Sequence, residues 1–336
     1  DALTTAENNT AIGQEAGNDI TTGSSNTLAG AGAGSKITTG VQNTFVGKDA
    51  GDATDDGTNN VAVGFEALSA NCGSGNVILG CRAGKLTTAD NNTFVGLNAG
   101  TATTSGDTNV AIGKDSLVAN IQGTNNVTVG HGAGKAITSG ATNICIGDIA
   151  GDNITDGVEN IIIGYQSRTV QASSNRNMCL GYQVTGSSNS FTFGAGANDS
   201  RVDNGATTIT APSDERYKED ITTATAGLSF IKDLRPVTFK WKKEKDIPNT
   251  QNAYVEGSDK RVMNDKINHG FIAQEVKTAI NAHSEIKDGF EMWSEDSNDG
   301  RQRLGDAALM PMMVKAVQEL STALDAALAR IATLEG

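Results

Sequence analysis

Residues 43–51 read NTFVGKDAG, and residues 60–68 repeat the pattern as NVAVGFEAL. An asparagine returns every 17 residues, with two steps of 16, and a glycine follows each asparagine by four positions. The asparagines are Asn9, Asn26, Asn43, Asn60, Asn76, Asn92, Asn109, Asn126, Asn143, Asn160 and Asn177. A fixed period of this kind is the signature of a repeat architecture. It predicts that about two thirds of the chain forms a rod of stacked units.

Each unit is predicted to contain one short strand. With the asparagine as position one, positions two and four are mostly β-branched, as in Val110 and Ile112. Residues two apart share one face of a strand, and β-branched residues suit strands, so we expect positions two and four to face the core. Position three varies, as in Phe45 and Cys145, and is expected to point to solvent or to a neighbouring subunit. A following pair such as Ala50–Gly51 predicts a second short strand or a corner.

The asparagines are predicted to form a ladder in which each amide bonds the next coil. No proline occurs from Asp1 to Ala211, as expected where backbone N–H groups serve in strand ladders. A coil this short buries few apolar side chains, which predicts lateral association as a trimer, with position three or the Ala-Gly corner at the interface. A disordered polar tract is the alternative, and the fixed phase over eleven repeats disfavours it. The pattern resembles the β-roll heads of trimeric adhesins and of phage tail fibres.

Charge divides the chain into two regions. Up to Pro212 there are 9 Lys and Arg against 18 Asp and Glu, whereas from Ser213 onward there are 17 against 21. This shift predicts a domain boundary. An acidic rod lacks the clustered cations that nucleic-acid binding needs, and no apolar run is long enough to insert in a membrane. The chain shows no signal peptide and begins without Met, so we expect it to be part of a longer or processed protein.

The cysteines and acidic turns are not predicted to bind a metal or a cofactor. Cys72, Cys81, Cys145 and Cys179 form no C-x-x-C pair. They are expected to be small buried or interfacial side chains without disulfides, which fits assembly in a reducing cytoplasm. The acids at residues 52–56 are predicted to be solvated turn residues, not Ca²⁺ ligands.

Four motifs follow one another in the second region. They are Ser213-Asp214 with Arg216 and Lys218; Leu234-Arg235-Pro236-Val237 with Phe239 and Trp241; GFIAQEV at residues 270–276; and Leu309-Met310-Pro311 with Glu319 and Leu320. In this order they resemble the intramolecular chaperone domain of phage tailspikes and tail fibres, the peptidase S74 family, over residues 213–336. One departure is the segment before Leu309, which lacks the aromatic residue that the family often has there.

The resemblance implies that this domain aligns three chains and then cleaves itself off at the Pro212–Ser213 bond. Ser213 would be the nucleophile and Lys218 its base, because a serine hydroxyl needs a base and a lysine serves when its pKa is depressed. Two residues five positions apart lie on different faces of a helix, and also on different faces of a strand. Ser213 and Lys218 must therefore meet across a turn. Supporting roles are expected for Asp214, Arg216 and His269 near the site, and for Gln274 and Glu275 as polar contacts between chains.

The last segment, about residues 306–334, is predicted to be a long helix with a heptad seam. Position a is filled by Met310, Val317, Leu324 and Ile331, and position d by Met313, Leu320, Ala327 and Leu334. Four heptads of this kind predict a coiled coil. The alternative is an amphipathic helix packed on its own domain.

The prediction is therefore a mainly β fold. A trimeric β-solenoid shaft (1–194) is followed by a linker or tip (195–212) and an α+β chaperone domain (213–336). The function expected is a tail-fibre or spike component of the virion, assembled in the host cytoplasm, with autoproteolysis as its only enzymatic step. Its partners would be two further copies, other tail proteins and a host receptor, contacted near Phe191 and Phe193. Alternatives are a glycan-depolymerase tailspike with its catalytic part upstream, a trimeric surface adhesin without cleavage, and a transcription factor with the same chaperone.

Overall fold

A computed structural model describes residues 6–206, 208–211, 213–251, 253–287, 290–296 and 300–335. The chain divides into two compact units, residues 1–214 and 215–336. The first unit is almost entirely β, and the second combines short strands with helices.

The first unit is a solenoid built from short strands. Twelve strands stack in parallel in the order β1 to β10, β12 and β14, while β15 adds to β14 in antiparallel fashion and β11 pairs with β13. Their bounds are β1 Thr10–Ile12, β2 Thr27–Ala29, β3 Thr44–Val46, β4 Val61–Val63, β5 Val77–Leu79, β6 Thr93–Val95, β7 Val110–Ile112, β8 Val127–Val129, β9 Ile144–Ile146, β10 Ile161–Ile163, β11 Arg168–Thr169, β12 Met178–Tyr182, β13 Thr185–Gly186, β14 Ser190–Ala195 and β15 Asn198–Asp203. β15 lies inside the segment expected to be a linker.

Each strand pairs with the same positions of the next coil. Val110 lies beside Val127, and Ile112 lies beside Val129, one 17-residue coil later. The register is unbroken through the two 16-residue coils, where Val61 pairs with Val77 and Val77 with Thr93. The predicted β-solenoid of about 17-residue coils is confirmed.

The asparagine ladder is also confirmed. The side-chain oxygen of Asn109 accepts the backbone N–H of Asn126 at 3.0 Å, and its amide nitrogen donates to the carbonyl of Gly123 at 2.8 Å. The same bonds recur along the shaft, for instance from Asn43 to Asn26 and from Asn43 to Gly57. Each asparagine therefore links its own coil to the next and also closes that coil.

Glycine at position five is required for two separate reasons. These glycines have φ between +126° and +145°, a region that L side chains rarely adopt. A Cβ on Gly113 would also lie 2.4 Å from the carbonyl oxygen of Gly130 in the next coil. Close stacking of the coils at this corner thus leaves no space for a side chain.

The core lies on the opposite side of the strand from the one predicted. From β2 onward position three is buried, as at Phe45, Phe94 and Ile162, whereas positions two and four are half-buried or exposed. The prediction that position three faces outward is wrong. The physical reason is the buried asparagine at position one: side chains alternate along a strand, so position three shares its inward face. The alanine at position eight, as at Ala50, is buried as well.

Positions two and four of β1 to β10, β12 and β14 form what we call the outer strand face. It ends on Phe191 and Phe193 of β14, which pair with Met178 and Leu180 of β12. Because position three and the alanine of the corner are buried within one chain, neither is available as the predicted subunit interface. That prediction is also wrong.

The second unit packs two helices and a third, longer one around a small core. Its elements are α1 Leu228–Asp233, β16 Val237–Phe239, β17 Asn268–Gly270, α2 Ala273–Ala282, β18 Trp293–Glu295, β19 Gln302–Leu304 and α3 Leu309–Glu335. β16 pairs with β17 and β18 with β19, both antiparallel. Phe230 is fully buried at the centre, where its ring meets Phe290 edge-on at 5.7 Å.

The long helix α3 leaves most of its apolar side chains uncovered. Of its described side chains only Leu309 and Ala316 are buried. Leu324 and Ile331 of the predicted heptad are 59% and 49% exposed. Beyond its first turns, α3 therefore has no covering partner among the residues that the structure describes.

The cysteines are free thiols, and burial raises the pKa of Cys145 and of Cys179 to about 12. Within the described ranges, no group of three or more His, Cys, Asp or Glu side chains is placed to hold a metal ion. None of the described helices combines the length and the apolar character that crossing a membrane requires.

Replacing one ladder asparagine should destabilise the shaft. Asn109→Ala removes the acceptor for the buried Asn126 N–H and leaves that donor unsatisfied, which costs about 1–3 kcal/mol, whereas the Gly123 carbonyl keeps its bond from the Asn120 amide. We expect a lower thermal unfolding midpoint, followed by circular dichroism. Asn18→Ala is the control, because Asn18 is exposed and bonds only the neighbouring Asp19 side chain. Equal midpoints in the two variants would contradict the structural role of the ladder.

Candidate functional site

The candidate nucleophile and base lie on either side of a short turn. Ser213 is exposed in an extended segment, a 3-10 turn occupies Glu215–Tyr217, and Lys218 follows it. The backbone N–H of Lys218 donates to the carbonyl of Glu215 at 3.0 Å, which closes the turn.

The other residues predicted near the cleavage site are distributed along the chain. Asp214 and Arg216 are exposed beside Ser213 and within the turn, respectively. Pro212, which supplies the carbonyl of the predicted scissile bond, lies outside the described residues. His269 is exposed at the centre of β17, directly opposite Thr238 of β16.

Glu275 joins two of the sequence motifs. The Arg235 guanidinium donates from Nε to Glu275 Oε2 at 3.0 Å and from its terminal nitrogen to Oε1, which makes a two-pronged ion pair. This pairing holds the pKa of Glu275 below its usual range. Within one chain Glu275 fixes the Leu-Arg-Pro segment to the start of α2, and its contact with another chain stays a prediction. Gln274 is exposed, and its backbone carbonyl accepts the Thr278 hydroxyl.

Glu319 holds the start of α1, a role that the sequence did not reveal. Its Oε2 accepts the backbone N–H of Leu228 at 2.8 Å, so a side chain of α3 caps a helix 91 residues earlier. A Cβ on Gly227 would lie 2.7 Å from the same oxygen, so a larger residue there would force the Glu319 side chain to move. Glu319 belongs to the last sequence motif, and this contact gives a physical reason for a glutamate at that position.

His283 joins the ends of α1 and α2. Its Nε2 lies 2.8 Å from Asp233 Oδ2 and its Nδ1 lies 3.3 Å from Glu285 Oε1, while its ring meets Phe230 edge-on. The hydrogen bond with Asp233, aided by Glu285, raises the pKa of His283. A charged His283 is therefore favoured in the folded unit.

Phe191 and Phe193 are not exposed aromatic side chains at a tip. Both are half-buried, and their rings lie 5.0 Å apart. A polar cleft of about 360 Å³ lies nearby at the end of the shaft. Its lining residues are Thr185, Thr192, Asp199, Arg201, Thr210 and Ala211.

Comparison with protein families identifies the region that begins at Ser213. Residues 213–284 match the peptidase S74 family, described as chaperone of endosialidase. The comparisons with curated proteins and with solved structures find no match to the chain. The matched segment and the solenoid together fit a tail fibre or tailspike that carries a chaperone domain.

The second unit should lose stability as the pH rises through the pKa of His283. That pKa is raised above the ordinary value of 6.5, so the pairing contributes fully below this value and is lost above the raised pKa. We expect the unfolding midpoint of the second unit to fall as the pH rises above 6.5 and through the raised pKa of His283, measured by calorimetry on the full chain. In the His283→Gln variant this pH-dependent fall of the unfolding midpoint should be absent. An identical pH profile in both proteins would contradict the assignment.

Proposed function

We propose that this chain is a component of a phage tail fibre or tailspike. Its solenoid would form a homotrimeric shaft, and its second unit would align three chains and then release itself by cleaving the Pro212–Ser213 bond. The observation that carries the proposal is the chaperone-family match, which starts at Ser213, shortly after the last strand of a repetitive shaft.

A repetitive shaft needs an aligner for a physical reason. Neighbouring coils pair through equivalent positions, so three such shafts that slip by one coil keep most of their contacts. The register must therefore come from a non-repeating element. The second unit is such an element, with one core and one long helix.

The helix α3 supports self-association. Its exposed side chains include Met310, Val317, Leu324 and Ile331, which recur every seven residues. A seam of this type becomes stable when two or more helices bury it against each other. Three copies arranged around a single symmetry axis would allow both the helices and the shafts to associate.

The cleavage chemistry can be written from the residue types. Ser213 Oγ would attack the carbonyl carbon of Pro212 while Lys218 accepts the hydroxyl proton. The bond from that carbon to the Ser213 nitrogen breaks, the nitrogen takes up the proton, and an ester remains. Water then hydrolyses the ester, leaving a carboxylate on Pro212 and restoring the hydroxyl. Asp214, Arg216 and His269 would support this site.

Exposure of Lys218 couples the reaction to assembly. A lysine serves as a base when burial or nearby cations favour its neutral form. In one chain Lys218 is exposed, so packing of the three chains would supply this burial. Cleavage would then report that alignment has succeeded, and it would make the assembly hard to reverse.

Host attachment is proposed for the end of the shaft nearest the cleavage site. The polar cleft with Asp199 and Arg201 offers hydrogen-bonding groups of the kind that a glycan or an outer-surface protein presents. Phe191 and Phe193, first expected to make this contact, are half-buried beside the cleft. Other tail proteins would be further partners, and the assembled fibre would reside in the virion.

Replacing the nucleophile or the base should abolish cleavage. Wild-type protein is expected to give fragments of residues 1–212 and 213–336 on a denaturing gel with intact-mass analysis. Ser213→Ala and Lys218→Ala should give only the full chain, because the hydroxyl or its proton acceptor is missing. Thr208→Ala and Lys232→Ala are the controls, since both residues are exposed and lie outside the proposed site. An uncleaved wild-type trimer would show that the unit aligns chains without cutting them.

Placing a charge in the helix seam should prevent trimer formation. Leu324→Asp buries a carboxylate in the proposed coiled coil, whereas Ala329→Asp places it on the outer side of the same helix. We expect light scattering to show a trimer for Ala329→Asp and its loss for Leu324→Asp, together with slower cleavage. Trimers of equal abundance in both variants would argue against the coiled coil.

A further inference from the structure

The outer strand face is an apolar strip without charge. Two positions on each of twelve parallel strands give 24 side chains, and all are Thr, Ala, Val, Ile, Leu, Met or Phe. None of the 24 is buried in a single chain. Val63 is 37% exposed, Ile112 is 40% exposed and Leu180 is 48% exposed. The strip is continuous from the first coil to the last.

Such a strip is unusual on a protein that remains a single chain. Parallel sheets are normally covered on both faces, and soluble monomers rarely expose contiguous apolar patches beyond a few hundred Å². The 24 side chains match the roughly 20–30 residues that each partner contributes to a stable protein interface. The composition of the strip therefore indicates a surface that is covered in the working protein.

The geometry of the strip identifies its occupant. Its side chains repeat with the strand spacing of about 4.8 Å, so a partner must present apolar groups at the same spacing over many layers. Another copy of this solenoid has that repeat. The charged side chains lie elsewhere on the coil, as in the Lys114–Asp115 and Arg176–Glu159 pairs. Since the shaft region has twice as many acidic as basic residues, the uncharged strip is also where copies repel each other least.

We propose that the outer strand face is the surface on which three shafts meet, with each coil facing the same coil of its neighbours. This inference rests on the trimer proposed above and adds which face forms it. One strand presents two outward rows, and a closed three-fold arrangement brings each row close to the same row of the other two copies around the axis. Position three remains the core of each single chain.

The strip also changes in size along its length. Position two is Thr in Thr10, Thr27 and Thr44, whereas it is Ile161, Met178 and Phe191 in the last coils. The largest layer, Phe191 with Phe193, lies at the end that precedes the chaperone domain. Apolar burial per layer would thus be greatest in the last parallel layer of the shaft, and these phenylalanines would seal the trimer there instead of binding a receptor.

Disulfide trapping tests the proposal directly. In a Cys81→Ser background the remaining native thiols are buried, so a disulfide that forms can be assigned to the introduced cysteine. Ile112→Cys should give a disulfide-linked dimer under mild oxidation, seen on a non-reducing gel, because identical residues approach each other near the axis. Gln122→Cys, exposed in a turn of the same coil, should give none. With Ile112→Cys and Ile146→Cys combined, mass spectrometry should find 112–112 and 146–146 links without 112–146 links.

A charge substitution supplies the second measurement. Ile112→Lys should lower the thermal midpoint of the trimeric shaft, whereas Gln122→Lys should leave it unchanged, and both should still cleave at Ser213 because the chaperone unit is intact. Equal trapping of residues 112 and 122, or equal midpoints of the two lysine variants, would overturn the assigned face while leaving the trimer and the cleavage in place. A monomeric, uncleaved wild-type protein would overturn the proposed function together with this inference.

Discussion

A single inward side chain per strand is the constraint on which the rest of this shaft depends. The parallel strands of most coils have three residues, of which only the middle one reaches the core, as at Phe94 and Ile162. A core so narrow cannot hold a coil closed by apolar contact alone. The asparagine amide at position one adds a buried polar link, and the glycine at position five lets successive coils stack at close range. Ladder and corner together explain why the asparagine and the glycine recur in coil after coil, while the core position varies.

The same constraint leaves the other side of each strand without a partner. Both units of the chain carry an apolar row that one copy does not cover, the outer strand face in the shaft and the heptad side chains of α3 in the second unit. The two rows differ in what they can specify. The strand face repeats every coil and tolerates a slip, whereas the helix belongs to a unit with one core and one cap, made by Glu319 on Leu228. In the proposed trimer the shaft would therefore supply contact area and the second unit would supply register.

Much of the fold could be predicted from the sequence because its period is so regular. The period gave the solenoid, the asparagine spacing predicted the ladder, and the glycine spacing predicted the corner. The orientation of the strand was missed, because alternation shows that positions two and four share a face without showing which face is inside. The asparagine ladder indicates which face is inside. Because Asn109 is buried, Ala111, two residues later on the same strand face, points inward as well. Contacts between distant residues, such as His283 with Asp233, were missed because neither spacing nor composition reports on them.

Refolding of the mature shaft tests the central claim most directly, namely that the solenoid cannot set its own register. The cleaved shaft, residues 1–212, would be separated from the chaperone, unfolded in denaturant and returned to native buffer. Uncleaved Ser213→Ala would be treated in the same way. The account predicts that Ser213→Ala regains the trimer and its original unfolding midpoint, while the shaft alone yields monomers or misaligned assemblies with broadened transitions. Full recovery of the trimer and midpoint by the shaft alone would contradict the account.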